Sequence, residues 1–174
     1  MTLGKRLRKG IIIVNIRSGA KITMSEDRVQ NLHFDVKASS KTPVETLVET
    51  PGSEIIIRDP EAYNKFDRSV NPEEYLLGSL AGCISRIAHI VAYEKDLVLE
   101  ELNLDIGGEI NPSKFLGAES EEGSKFREID VKIKADIEAS EEETREWIRQ
   151  IRERSQIVDT FENSVPVNIA MSRL

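Results

Sequence analysis

The sequence predicts a mixed α/β fold of α+β type: an N-terminal β-meander, a long central helix, two long strands, a second helix and a final strand. Three patterns carry that expectation. Segments early and late in the chain alternate apolar and polar residues, the period of a half-buried strand. Between them Leu76, Leu80, Cys83, Ile87 and Val91 recur at helical spacing as one continuous stripe. Ser140 followed by Glu143 is a capping box that opens a second helix. The 174 residues allow one domain or a close pair. With no internal repeat, 1–174 reads as a single domain.

Taken in order, IIIVNI at 11–16 reads as a strand ended by Arg17, Ser18 and Gly19. NLHFDVKAS at 31–39 alternates Leu32, Phe34, Val36 and Ala38 against polar partners. TPVETLVET alternates more weakly, and Pro51-Gly52 is turn punctuation before the strand EIIIR at 54–58. Residues 59–69 read as a polar connection. The best-specified element starts at Asn71, with Pro72 at the first helical position and Glu73 and Glu74 in the first turn, where carboxylates face the positive end of the helix dipole. It should run to about Asp96, roughly 37 Å at 1.5 Å per residue. Gly78, Gly82 and Ser85 form a second strip of small residues. That strip fits the close approach of another helix, or of a sheet from the same chain. Leu97 to Ile110 and Phe126 to Ile137 read as two long strands, plausibly a hairpin, around a Gly-, Ser- and Glu-rich loop. Thr144, Trp147, Ile148, Ile151 and Ser155 share the inward face of the next helix. Val165, Val167, Ile169 and Met171 alternate as a final strand.

Composition narrows the functions open to this chain. Hydrophobic residues make up 39% and charged residues 32%, which supports a buried core and argues against disorder. The only cysteine is Cys83, so an intramolecular disulfide and a cysteine metal cluster are both excluded. His33 and His89 are lone histidines without the neighbours a metal site needs; no metal and no cofactor is expected. Gly107-Gly108 ends a strand and is no phosphate loop, because no helix start or Walker lysine follows. A net charge of −7 and 5% aromatics speak against nucleic acid. No apolar run approaches the ~20 residues of a membrane span, and the basic start leads to no clear cleavage site. No membrane partner is expected, and the chain reads as cytoplasmic.

The segment NPEEYLLGSLAGCISRIAHIVAYEKDLVLEELNLDIGGEI, residues 71–110, resembles the OsmC and Ohr family of thiol peroxidases. An Asn-Pro-Glu helix start leads there to an Ala-Gly-Cys placed mid-helix and then to a long strand. REIDVKIKADIEAS resembles the family's second long strand, and SQIVDTFENSVPVNI at 155–169 resembles its closing segment. The resemblance runs over about 54–171; the first fifty residues show no match. It implies an OsmC-like fold in which two chains intertwine as a homodimer. It also implies reduction of organic hydroperoxides by a cysteine on the long helix and a second cysteine on the later helix.

By that resemblance the peroxidatic cysteine falls on Cys83. Such a thiol needs a depressed pKa, a nearby positive charge and access. The residues alone leave a second reading open, in which Cys83 is an inert small hydrophobe on an apolar stripe. The family's glutamate falls on Glu73. Ten residues, roughly 15 Å of helix, separate it from Cys83, so it would have to act from the partner subunit. Its alternative role is simply to stabilise the helix dipole. The activating arginine is not fixed by any motif: Arg17, Arg58 and Arg68 are loop or strand-end candidates, and Arg86 follows Cys83 by three residues. At the second-cysteine position this chain has Ser155, followed by Gln156 where Cys-Pro is usual. A serine hydroxyl cannot resolve a sulfenic acid as a disulfide. The expected activity is therefore a one-cysteine reduction of a small-molecule peroxide, resolved by an external thiol reductant. The alternative is a non-enzymatic protein that binds a small apolar ligand in a dimer-interface pocket.

Overall fold

A computed structural model describes residues 11–15, 21–25, 31–58 and 70–173. It forms two compact units, Met1–Asn71 and Pro72–Leu174.

In the first unit, β1 (Ile11–Asn15) pairs antiparallel with β2 (Lys21–Ser25), Ile11 lying opposite Ser25. Strands β3 (Lys37–Thr42), β4 (Glu45–Glu49) and β5 (Glu54–Arg58) form an antiparallel meander in that order. The expected strand at 31–39 is corrected here: the ladder begins only at Lys37. Leu32, Phe34 and Val36 stay 75%, 83% and 63% exposed. An alternating pattern makes a strand only where a neighbour takes its backbone N–H and C=O groups, and among the described residues none does so for 31–36. Instead β3 runs on to Thr42. Its register shifts between Ser39 and Thr42, where the Ser40 hydroxyl is within bonding range of the Thr42 carbonyl, at 2.5 Å, and the Glu45 carbonyl, at 2.7 Å. The connection 59–69, with Arg68, and the turn holding Arg17 lie outside the described residues.

The second unit carries the site. Helix α1 (Pro72–Glu94) starts where Asn71-Pro72 places it and ends two residues before Asp96. Asp96 has φ 56°, and Leu97 and Asp96 donate N–H to the Ala92 and Tyr93 carbonyls at 2.9 and 3.3 Å, closing the helix as a Schellman motif. Strands β6 (Val98–Ile110) and β7 (Phe126–Glu138) form the expected hairpin, with Leu104 opposite Ile133 and Ile106 opposite Val131. Their alternation gives the two-stranded sheet one apolar and one charged face. Gly107 and Gly108 lie inside β6 rather than ending it. A Cβ at Gly108 would come within 2.8 Å of the Phe126 ring and 2.9 Å of the Glu128 carbonyl.

Helix α2 (Glu141–Arg154) opens with the capping box: Ser140 accepts from the Glu143 N–H, and the Glu143 carboxylate accepts from the Ser140 N–H at 2.8 Å. Trp147 and Ile151 bury its inner face against α1, and the indole Nε1 donates to the Ala88 carbonyl at 2.9 Å. The Arg154 guanidinium grips the Glu94 carboxylate, tying the C-terminal ends of α1 and α2 together. A short helix, α3 (Gln156–Glu162), follows with only Ser155 between it and α2.

Three further expectations are corrected in this unit. Ile148 is 43% exposed and Leu76 43%, so each leaves the buried stripe assigned to it. On α1 the stripe is widened instead by Ile84, Ala88, Ile90 and Ala92. The final strand is absent, because residues 164–173 take no regular structure, and Val165, Val167, Ile169 and Met171 are 57–91% exposed. The small-residue strip faces open space: within this unit nothing comes within 4 Å of a Cβ placed at Gly78 or Gly82. Helix α1 is long and apolar enough to cross a membrane by length and composition, with a mean hydropathy of 1.4 over its best window. Here it is the core helix of the unit, with eight residues buried.

Candidate functional site

Cys83 lies in the middle of α1, 6% exposed, facing the junction of α2 and α3. Ser155 fills that junction and is fully buried. Its backbone N–H is spent on the Ile151 carbonyl at 3.1 Å, while its hydroxyl donates to Cys83 Sγ at 3.2 Å. The two positions are thus side-chain neighbours although they stand 72 residues apart in sequence. The local cause is the break between the helices. The α2 register carries Trp147, Ile151 and Ser155 down one face toward α1, and the chain then re-enters helix at Gln156.

Five influences, one opposed to the other four, set the charge state of the thiol. Burial pushes its pKa up, since a thiolate is costly away from water. Hydrogen bonds from the Ser155 hydroxyl and the backbone amides of Ile157 and Gln156, with the positive field of Arg86, outweigh that cost. The net effect lowers the Cys83 pKa from the ordinary thiol value, the direction that favours a nucleophile.

Arg86 is exposed, and its Nη2 lies 3.5 Å from the Gln156 side-chain carbonyl. Among the described residues, Arg86 is the arginine whose charge lowers the Cys83 pKa. Arg58 is engaged elsewhere, 2.7 Å from Glu45 in the first unit. Glu73 is exposed in the first turn of α1 and is not brought to Cys83. It lines a separate cavity of about 890 Å³ formed by α1, the apolar face of β6 and β7, α2 and α3. Leu80 and Ile84, which neighbour Cys83 on α1, also line it, together with Phe126, Ile148 and Phe161. His33 and His89 are exposed. The amides of Gln156 and Ile157 were invisible to sequence reasoning; the signal that points to them is a helix restarting directly after Ser155.

The OsmC-like protein family model matches residues 65–170, more than half of the chain and the whole of α1 to α3. The chain belongs to the OsmC-like protein family. Its solved neighbours agree. An OsmC-like protein from Mycoplasma pneumoniae superposes with a TM-score of 0.66 at 19% identity, over 78% of this chain and 91% of that one. An organic hydroperoxide resistance protein from Elizabethkingia anophelis gives 0.56 at 16% identity, over 78% and 93%. Another, from Bacillus subtilis, gives 0.52 at 16%, over 75% and 93%. At these identities the likeness establishes the OsmC-like fold. Comparison with curated proteins returns no match.

Proposed function

We propose that this OsmC-like chain is a one-cysteine hydroperoxide reductase. The observation that carries the reading is the Ser155 hydroxyl donating to Cys83 Sγ at 3.2 Å inside a buried junction, a contact that favours the thiolate. In the proposed reaction the Cys83 thiolate attacks the outer oxygen of an organic hydroperoxide. An S–O bond forms, the O–O bond breaks, and the alkoxide leaves and takes a proton as the alcohol. Cys83 is oxidised to the sulfenic acid. An external thiol then attacks the sulfur and releases water, and a second thiol displaces the Cys83 thiolate from the mixed disulfide.

The working unit in this reading is a cytoplasmic homodimer. Support comes from the open small-residue strip at Gly78 and Gly82, from the exposed apolar run Val165 to Met171, and from an apolar sheet face that one chain only half covers. Glu73 would then serve Cys83 from the partner subunit. Mixing the protein with cumene hydroperoxide and a dimedone-type trap should label Cys83 as sulfenic acid, in a species that light scattering sizes as a dimer. A thiol that survives millimolar peroxide unlabelled refutes the enzyme.

The cavity of about 890 Å³ favours a second reading, in which the protein binds a small apolar ligand without turnover. Cys83→Ala separates the two, because it abolishes peroxide consumption in the first and leaves ligand binding unchanged in the second.

A further inference from the structure

We propose that Ser155 and Gln156 act as one element that holds Cys83 as a thiolate: Ser155 donates to the sulfur directly, and Gln156 is a positioning residue that keeps the Arg86 guanidinium beside it. The proposal takes its purpose from the reading of Cys83 as a nucleophile. The geometry is a short relay across α1 and the α2–α3 junction. Ser155 is fully buried with its hydroxyl 3.2 Å from Sγ. The next residue places its side-chain carbonyl 3.5 Å from Arg86 Nη2, and Arg86 stands one turn beyond Cys83 on the same helix.

Each member does what the other cannot. The serine hydroxyl gives a directed hydrogen bond in a largely buried site, where it favours the charged form of the sulfur. Arg86 supplies charge, but an exposed arginine spreads that charge over many rotamers, most of them deep in solvent where a high dielectric weakens its pull. An acceptor at 156 selects the rotamers that lie along the junction. That this acceptor is a neutral amide matters. A carboxylate at the same place would bind Arg86 more firmly and cancel the field it exerts on the thiolate.

The test is the pH profile of Cys83 alkylation by iodoacetamide in the full chain, a readout that needs no peroxide. Ser155→Ala and Arg86→Met should each move the inflection upward by about half a unit, a roughly threefold slower reaction below it. Gln156→Leu should move it in the same direction by less, and should have no effect once Arg86→Met is present. Gln156→Glu should move it upward despite the tighter contact. Residues 86 and 156 are exposed, so their replacements open no cavity and remain informative if Ser155→Ala fails to fold. An inflection unmoved by both Gln156 variants, or a Gln156→Leu shift that persists in the Arg86→Met background, overturns the proposal. If the shifts occur in a protein whose Cys83 ignores peroxide, the peroxidase reading fails and the thiolate element stands. If peroxide oxidises Cys83 while the Gln156 variants leave the profile unmoved, the reverse holds.

Discussion

If Ser155 occupies the place of a resolving thiol, Ser155→Cys should restore an intramolecular cross-link to Cys83. The structure supports this on two counts. The Ser155 hydroxyl already lies 3.2 Å from Sγ, and both side chains are buried in one packed junction, so bond formation asks for a small closing movement of two side chains. The cross-link would join positions 72 residues apart. In the chain-entropy description a loop of that length removes about 4 kcal/mol of disorder from the unfolded state, an upper figure because native strain subtracts from it. For a chain of this size that corresponds to a rise in Tm of roughly 10 °C.

Stoichiometric peroxide or diamide applied to Ser155→Cys should therefore abolish both thiols by Ellman titration and lower the intact mass by two hydrogens. Calorimetry should show the stabilisation, and dithiothreitol should reverse it. The wild type, with its single cysteine, cannot form this cross-link, so its Cys83 should gain oxygen with peroxide instead of the chain losing two hydrogens, and diamide should bring no stabilisation. An oxidised variant that keeps two titratable thiols refutes the apposition of 83 and 155. A disulfide that forms but lowers Tm refutes the claim that the junction accepts it without strain.

Two further predictions concern the frame around the site. Trp147 is 1% exposed and donates to the Ala88 carbonyl, so Trp147→Ala should cost about 3–5 kcal/mol in urea unfolding; a loss below 1 kcal/mol would contradict its place in the core. The Arg149 side chain holds the half-buried Glu146 carboxyl down to about 2. A folded pKa below the unfolded value stabilises above the ordinary carboxylate range and fades as pH falls through about 2, so NMR should find Glu146 still ionised at pH 3, and a normal titration midpoint would refute the pairing.

Legibility from sequence followed how local each signal was. Helix α1, the hairpin of β6 and β7 and the capping box at Ser140 were readable because each is fixed by neighbours within a few residues: Pro72 at a helix start, alternation over thirteen residues, Glu143 reaching back to Ser140. Leu32 to Val36 and Val165 to Met171 alternate just as clearly and form no strand among the described residues, since alternation states only that a segment could cover something. What supplies the other half of such a ladder is not written in the segment itself. The same holds at the site. In sequence, a serine at 155 registers as a subtraction, the loss of the thiol that would complete a disulfide cycle. In space its hydroxyl is an addition, because a buried sulfur without a donor would have its pKa raised, and Ser155 is the largest of the influences that lower it. The residue that removes the second half of the two-cysteine reaction thereby equips the first half, and only the contact between α1 and the α2–α3 junction, set by Trp147 and Ile151, makes that visible.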